Sequence, residues 1–258
     1  MRFTFPLLGG ARPLLAAALF AGSLGTAAAQ SDTAEPADTG MAEAAAAVQA
    51  MSDYLAGLSS FEFEASALFD EPALDGVPGK RAASVHVAVD RPDRLFLQAR
   101  FDDGSDRKVW FDGETVTLAN LSTETYVELP FEGDVDGLVE AIQARLGVTM
   151  PVLMFAGSRP FDQLEDNVIG ARLVGERVLG DDVTSLVEIE TIDARSLLWI
   201  ADGTAPLPER LVVTYVREPG DPEYVLTFTG FSETSLPDAT FEADVPEGWS
   251  RIELNPEE

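Results

Sequence analysis

The sequence contains no cysteine. That excludes disulfides, thiolate metal sites, a cysteine nucleophile and a lipid-modified N-terminal cysteine. There is one histidine, His86, in the stretch ASVHVAV, where it reads as a packed or surface residue of a strand. With one imidazole and no thiol, a transition metal lacks its usual donors, so no metal site or cofactor is expected. A serine–histidine–aspartate arrangement would have to use this one ring. No G-x-S-x-G elbow, dinucleotide loop or P-loop is present. Basic residues are also scarce: 17 against 45 acidic ones, with a formal net charge of -28. Lys80 and Lys108 are the only lysines. Such a surface repels nucleic acid and anionic membrane faces. It reads as a solvated acidic surface, compatible with a salty habitat or a cationic partner.

Beyond the first thirty residues no apolar run approaches the ~20 residues of a membrane-spanning helix. The first thirty differ. MRFTFPLLGGARPLLAAALFAGSLGTAAAQ carries Arg2 and Arg12, an apolar stretch from Pro13 to Leu24, and the small residues Ala27-Ala28-Ala29. This is the pattern of a cleavable signal peptide, residues 1–29, with the cut after Ala29. The expected mature protein is exported to a bacterial periplasm and makes no stable membrane insertion.

Gln30 to Gly40 is polar and reads as a disordered lead-in; residues 41–258 read as a single domain. Residues 41–58 form the first expected helix, with Met41, Ala45, Val48, Met51, Leu55 and Leu58 in one apolar stripe. From Phe61 the hydrophobic period becomes two. FEFEASALF, KRAASVHVAVD, RPDRLFLQARFD, DRKVWFDGETVTLAN and TETYVELP read as consecutive strands, with a Pro/Gly loop at 70–79 and a hairpin signal at Asp112-Gly113. Short connections of this kind imply an antiparallel meander. DVDGLVEAIQARLGV (134–148) reads as a helix capped by Asp134 or Asp136. MPVLMFAG (150–157) and PFDQLED (160–166) read as further helical turns. Five strands then follow between Ala171 and Phe231. This order suits one α+β domain built on a large curved antiparallel sheet.

Chemistry-bearing motifs are few. EGDVDGLVEAIQ (132–143) places Asp134, Asp136 and Gly137 at positions three, five and six of a calcium loop, but Gln143 stands where a bidentate glutamate is required. Helix capping accounts better for these residues. Carboxylates adjacent in sequence, such as Asp102-Asp103 and Asp181-Asp182, carry little information in so acidic a chain, and nothing singles out a glycosidase pair. The chain is therefore not expected to be an enzyme, an uncharacterised hydrolase being the least favoured alternative. Several strands are apolar on one face and mixed on the other. An antiparallel sheet with one wet face alternates more cleanly, so the apolar face needs a cover: the helices, a ligand, or both.

The stretches RPDRLFLQARFDDGSDRKVWFDGETVTLAN, YVELP, AIQARLGVTMP, SLLWIADGTAPLPERLVVTYVREPGDPEYVLTFTGF and PDATFEADVPEGWSRIE together resemble the LolA-like superfamily of bacterial envelope proteins. Within it the chain is most similar to a family of predicted periplasmic proteins of unknown function, over about residues 42–254. The resemblance implies a curved antiparallel half-barrel closed by an N-terminal helix and mid-chain helices. It also implies an apolar concavity of the kind that holds a lipid or lipoprotein acyl chain. Leu95, Leu97, Trp110, Trp199, Tyr215 and Phe228 are the candidates it suggests for the hydrophobic wall. The alternative is an envelope interaction or sensor module that binds a protein partner and whose helices fill the concavity.

Overall fold

The computed structural model describes residues 36–74, 77–146, 151–160 and 167–253; the signal-peptide stretch lies outside them. Helix α1 spans Pro36–Gly57, so it begins within the stretch read as lead-in. Its buried stripe is Ala44, Met51 and Leu55, with Val48 partly buried beside them. Met41 and Ala45, expected in the stripe, are exposed. The strands are β1 (Ser60–Leu74), β2 (Val77–Asp90), β3 (Arg94–Phe101), β4 (Asp106–Phe111), β5 (Thr115–Asn120) and β6 (Thr125–Pro130). Helices α2 (Val135–Leu146) and α3 (Pro151–Met154) follow. The second run is β7 (Val168–Leu179), β8 (Asp182–Thr191), β9 (Arg195–Ala201), β10 (Pro208–Thr214), β11 (Glu223–Ser232) and the short β12 (Ser250–Arg251).

Among the described residues all twelve strands join one curved sheet, in the order β12-β6-β5-β4-β3-β2-β1-β11-β10-β9-β8-β7. Every pairing is antiparallel except β12 with β6. The chain thus builds one half outward from β1, then returns through α2 and α3 to build the other half on β1's free side through β11. Within the stretch 70–79, expected as a loop, residues 70–74 and 77–79 instead extend β1 and β2: Asp70 pairs with Lys80 and Glu71 with Gly79. Cross-strand ion pairs, Lys80–Asp70 at 2.9 Å and Arg81–Glu71 at 2.8 Å, outweigh the local turn chemistry there. At the β4–β5 hairpin, Gly113 takes φ 99°, and Asp112 Oδ1 accepts hydrogen bonds from the amides of Glu114 and Thr115. Asp134 caps α2 through a 2.8 Å hydrogen bond from the Gly137 amide. Residues 161–166, expected as a helical turn, lie outside the described residues.

Strand parity divides the side chains between two cores. The inner face, on which the helices sit, gathers Phe61, Phe63, Val87, Leu97, Phe111, Leu198, Leu211 and Leu226 with Met51 and Leu55 of α1, Val135 and Leu138 of α2, and Val152 and Phe155 at α3. The outer face carries a smaller core of Ala88, Phe96, Trp110, Ala119 and Phe241. Phe241 belongs to the C-terminal segment, which lies across the outer face and also packs Leu236 and Trp249 there. Trp110 and Phe111, adjacent in sequence, therefore serve different cores.

Candidate functional site on the inner face

The lower end of the inner face, where β1 begins, is closed by helices. Phe61 and Phe111 are 0% exposed, and Phe155, just past α3, meets Phe228 edge-on at 4.9 Å. Arg91, in the turn between β2 and β3, ties these covers together. Its Nε donates to the Leu58 carbonyl just beyond α1 at 3.0 Å, and one terminal nitrogen donates to the Gly157 carbonyl at 2.8 Å. Its guanidinium lies 5.4 Å from the Phe61 ring centroid. Burial lowers the Arg91 pKa, and Asp136 opposes that shift. Asp136 in turn accepts from the Ser158 amide at 2.6 Å and the Ser158 hydroxyl at 2.5 Å. One guanidinium and one carboxylate thus fasten the end of α1, the start of α2 and the exit of α3 to the sheet.

The upper inner face is different in kind. Ala65, Val85, Ala99, Arg107 and Asn120 are successive cross-strand neighbours across β1 to β5. Ala65, Val85 and Ala99 belong to the inner core, so Arg107 stands on the inner face in a row of small apolar residues. Arg81 follows by the same rule as the partner of Phe69. The guanidinium carbons of Arg81 and Arg107 lie 4.7 and 5.3 Å from the centroid of Phe101. Around them Phe69, Phe101, Val109, Leu118 and Tyr224 pack on the core while remaining only partly buried. Phe69 stacks on Tyr224 at 5.8 Å. Arg81 is held by Glu71 at 2.8 Å, by Ser105 at 3.3 Å and by Asp103. The Asp103 carboxyl is pulled down to about 2, first by the Ser105 hydroxyl and then by the Ser105 amide. Desolvation, and then the charge of Arg81, lower the Arg107 pKa. Burial pushes Tyr215 up to about 12, with Glu218 adding to it, and raises Tyr224 as well.

The six wall candidates divide between the faces. Leu95, Leu97 and Phe228 belong to the inner core and Tyr215 packs against it. Trp110 does not join them: it lies on the outer face, 5.9 Å from Phe96. Trp199 is also an outer residue. Its neighbour Leu198 is 0% exposed in the inner core, while Trp199 stands beside Arg210 in the register, with the guanidinium 5.7 Å from its ring. The two tryptophans stand one residue out of phase with the inner-face positions Phe111 and Leu198, and a shift of one residue reverses the face, so the structure does not bring all six onto one wall. Asp106 and Lys108 share parity with Trp110, a polar company that marks the outer face. No sequence signal singles out Arg81, Arg91 and Arg107: an arginine in a strand or turn reads as solvated surface, and most of their contacts here are to residues distant in sequence.

His86 sits on β2 with Nε2 3.0 Å from Glu62 Oε2 and its ring 5.6 Å from Phe96, an outer-face packing role. Among the described residues no group of three or more histidine and carboxylate side chains is placed to hold a metal ion. Among them, too, no helix is long and apolar enough to cross a membrane.

The model of a family described as predicted periplasmic protein (DUF2092) matches residues 44–255, and the chain belongs to that family. No curated protein matches it in sequence. Similar solved structures include an uncharacterised conserved protein from Thermus thermophilus, at 15% identity over 81% of this chain and 98% of that one, with a TM-score of 0.47. The lipoprotein LppX of Mycobacterium tuberculosis is similar at 15% identity over 76% and 98%, with a TM-score of 0.45. A LolA superfamily protein from Nitrosomonas europaea is similar at 13% identity over 78% and 98%, with a TM-score of 0.39.

Proposed function

We propose that this is an exported periplasmic protein that shelters an apolar ligand, a lipid or lipoprotein acyl chain, against the inner face of its sheet. The observation that carries this reading is the upper inner face, where Phe69, Phe101, Val109, Leu118 and Tyr224 form an apolar surface that remains partly exposed. Burial alone supplies the affinity, at about 0.8 kcal/mol for each CH₂ removed from water. The chain needs no nucleophile or metal for this task. Helices α2 and α3 act as the lid, with Phe155 against Phe228 as the contact that a longer ligand displaces.

Native mass spectrometry of protein purified from a bacterial periplasm, followed by organic extraction, tests the reading. A stoichiometric apolar adduct, or uptake of an added fluorescent fatty acid, is the expected result. Leu118→Glu, on the inner face, should reduce uptake severalfold, and Trp199→Glu, on the outer face, should leave it unchanged. A clean apo mass with no uptake refutes the proposal. The close packing of Phe155 on Phe228 would then favour the second reading, an envelope interaction module whose helices fill the sheet permanently.

A further inference from the structure

A chain with 45 acidic and 17 basic residues repels anions at long range, so any site for an anion must be assembled locally from its few cations. Two of them, Arg81 and Arg107, stand on the inner face among Phe69, Ala99, Phe101, Val109 and Leu118, with Asn120 beside Arg107 and the carboxylates of Glu71, Asp102 and Asp103 around Arg81. They come from β2 and β4 and flank the Phe101 ring of β3. Arg81 is held in place by Glu71, Ser105 and Asp103, which fixes its head beside that ring. Arg107 lies between Ala99 of β3 and Asn120 of β5, next to the partly buried Val109 and Leu118. An apolar surface beside two guanidinium groups, Arg81 fixed in place and Arg107 in a row of small apolar residues, matches neither a neutral hydrocarbon nor a free inorganic anion. It matches a molecule that carries both parts.

We infer that the ligand is an anionic amphiphile whose carboxylate or phosphate oxygens lie against Arg107 and Arg81, while its hydrocarbon chain runs over Phe101, Val109 and Leu118. This rests on the proposed apolar site and names the class of ligand that site takes. A guanidinium donates in a planar fork that suits two-oxygen acceptors, and partial removal from water strengthens each such bond. Carboxylate and phosphate heads share this chemistry, and the choice between them identifies the source: a free fatty acid or a phospholipid-type head.

The test compares three probes of one chain length, dodecanoate, dodecyl phosphate and dodecanol, titrated below their aggregation thresholds into the full chain and into Arg107→Met. At least one anionic probe should bind about tenfold or more tightly than dodecanol. Arg107→Met should erase that preference and leave dodecanol binding unchanged. Preference for dodecanoate points to a fatty acid and preference for dodecyl phosphate to a phospholipid-type head; either supports the inference. Equal binding of all three probes overturns it while leaving the apolar site standing. No binding by any probe overturns the apolar site itself. An anion preference that survives in Arg107→Met overturns the assignment to Arg107. If the methionine variant loses dodecanol binding as well, Arg107→Gln, which keeps a polar head in the row, decides on the same criteria.

Discussion

Replacing Arg91 by methionine should open the closed end of the molecule. The side chain donates to the carbonyls of Leu58 and Gly157, at 3.0 and 2.8 Å, and so joins α1 to the loop after α3. Hydrogen bonds from a charged donor contribute about 1.5–3 kcal/mol each, so their removal withdraws roughly 3–6 kcal/mol. Two effects offset this. Methionine preserves most of the aliphatic length of the side chain, and the guanidinium no longer has to be desolvated, a cost visible in its lowered pKa. Against that, Asp136 loses a neighbouring cation and two carbonyls lose their donor. The balance is a destabilisation of about 2–4 kcal/mol, or a fall in Tm of roughly 5–15 °C for a domain of this size. Urea unfolding followed by circular dichroism measures the total. Hydrogen exchange locates it: amides of α2 and α3 should exchange faster by a larger factor than those of β2 and β3. A loss below about 0.5 kcal/mol, the range of ordinary surface substitutions, would refute the role given to Arg91. So would a loss spread evenly over the sheet.

Two further expectations concern the outer core and the partly buried phenols. Phe241, 1% exposed, anchors the C-terminal segment over Trp110 and Phe96, so Phe241→Ala should cost about 3 kcal/mol and red-shift tryptophan emission; an unchanged unfolding midpoint would show that the segment is not held there. Tyr215 is pushed up to about 12, by burial first and Glu218 second, and Tyr224 is raised by burial. Their folded pKa values exceed the unfolded value of about 10, so the stability they contribute is complete below pH 10 and is lost as pH rises from there through about 12. Absorbance near 295 nm at pH 11, compared with Tyr215→Phe and Tyr224→Phe, should show both phenols still neutral in folded protein; ionisation near pH 10 would contradict their burial.

Most of the architecture was legible from the chain alone. The change from a three-to-four spacing in α1 to a spacing of two from Phe61 onward marks helix and then strands, and Asp112-Gly113 marks a hairpin that does form. These signals are local, because backbone geometry sets both the periods and the turn. The capping of α2 by Asp134 is local in the same sense. The length of the β1–β2 hairpin was not legible, because Pro72, Gly76 and Gly79 argue for a loop while cross-strand pairs such as Asp70–Lys80 argue for strands. Only the paired structure shows which prevails.

The site follows the same division. Composition alone excluded cysteine chemistry and left one imidazole for any His-dependent mechanism, and the alternation of apolar residues required a sheet covered on one face. Which residues share that face was a matter of register, and register is a property of paired strands. Leu198 rather than Trp199 faces the helices because it stands opposite Leu211 of β10, a fact that neither strand carries by itself. In the same way, Arg81 and Arg107 meet at Phe101 only because β2, β3 and β4 lie side by side. Periodicity is encoded within each segment; the meeting of distant charges on an apolar face is decided only when the segments pack.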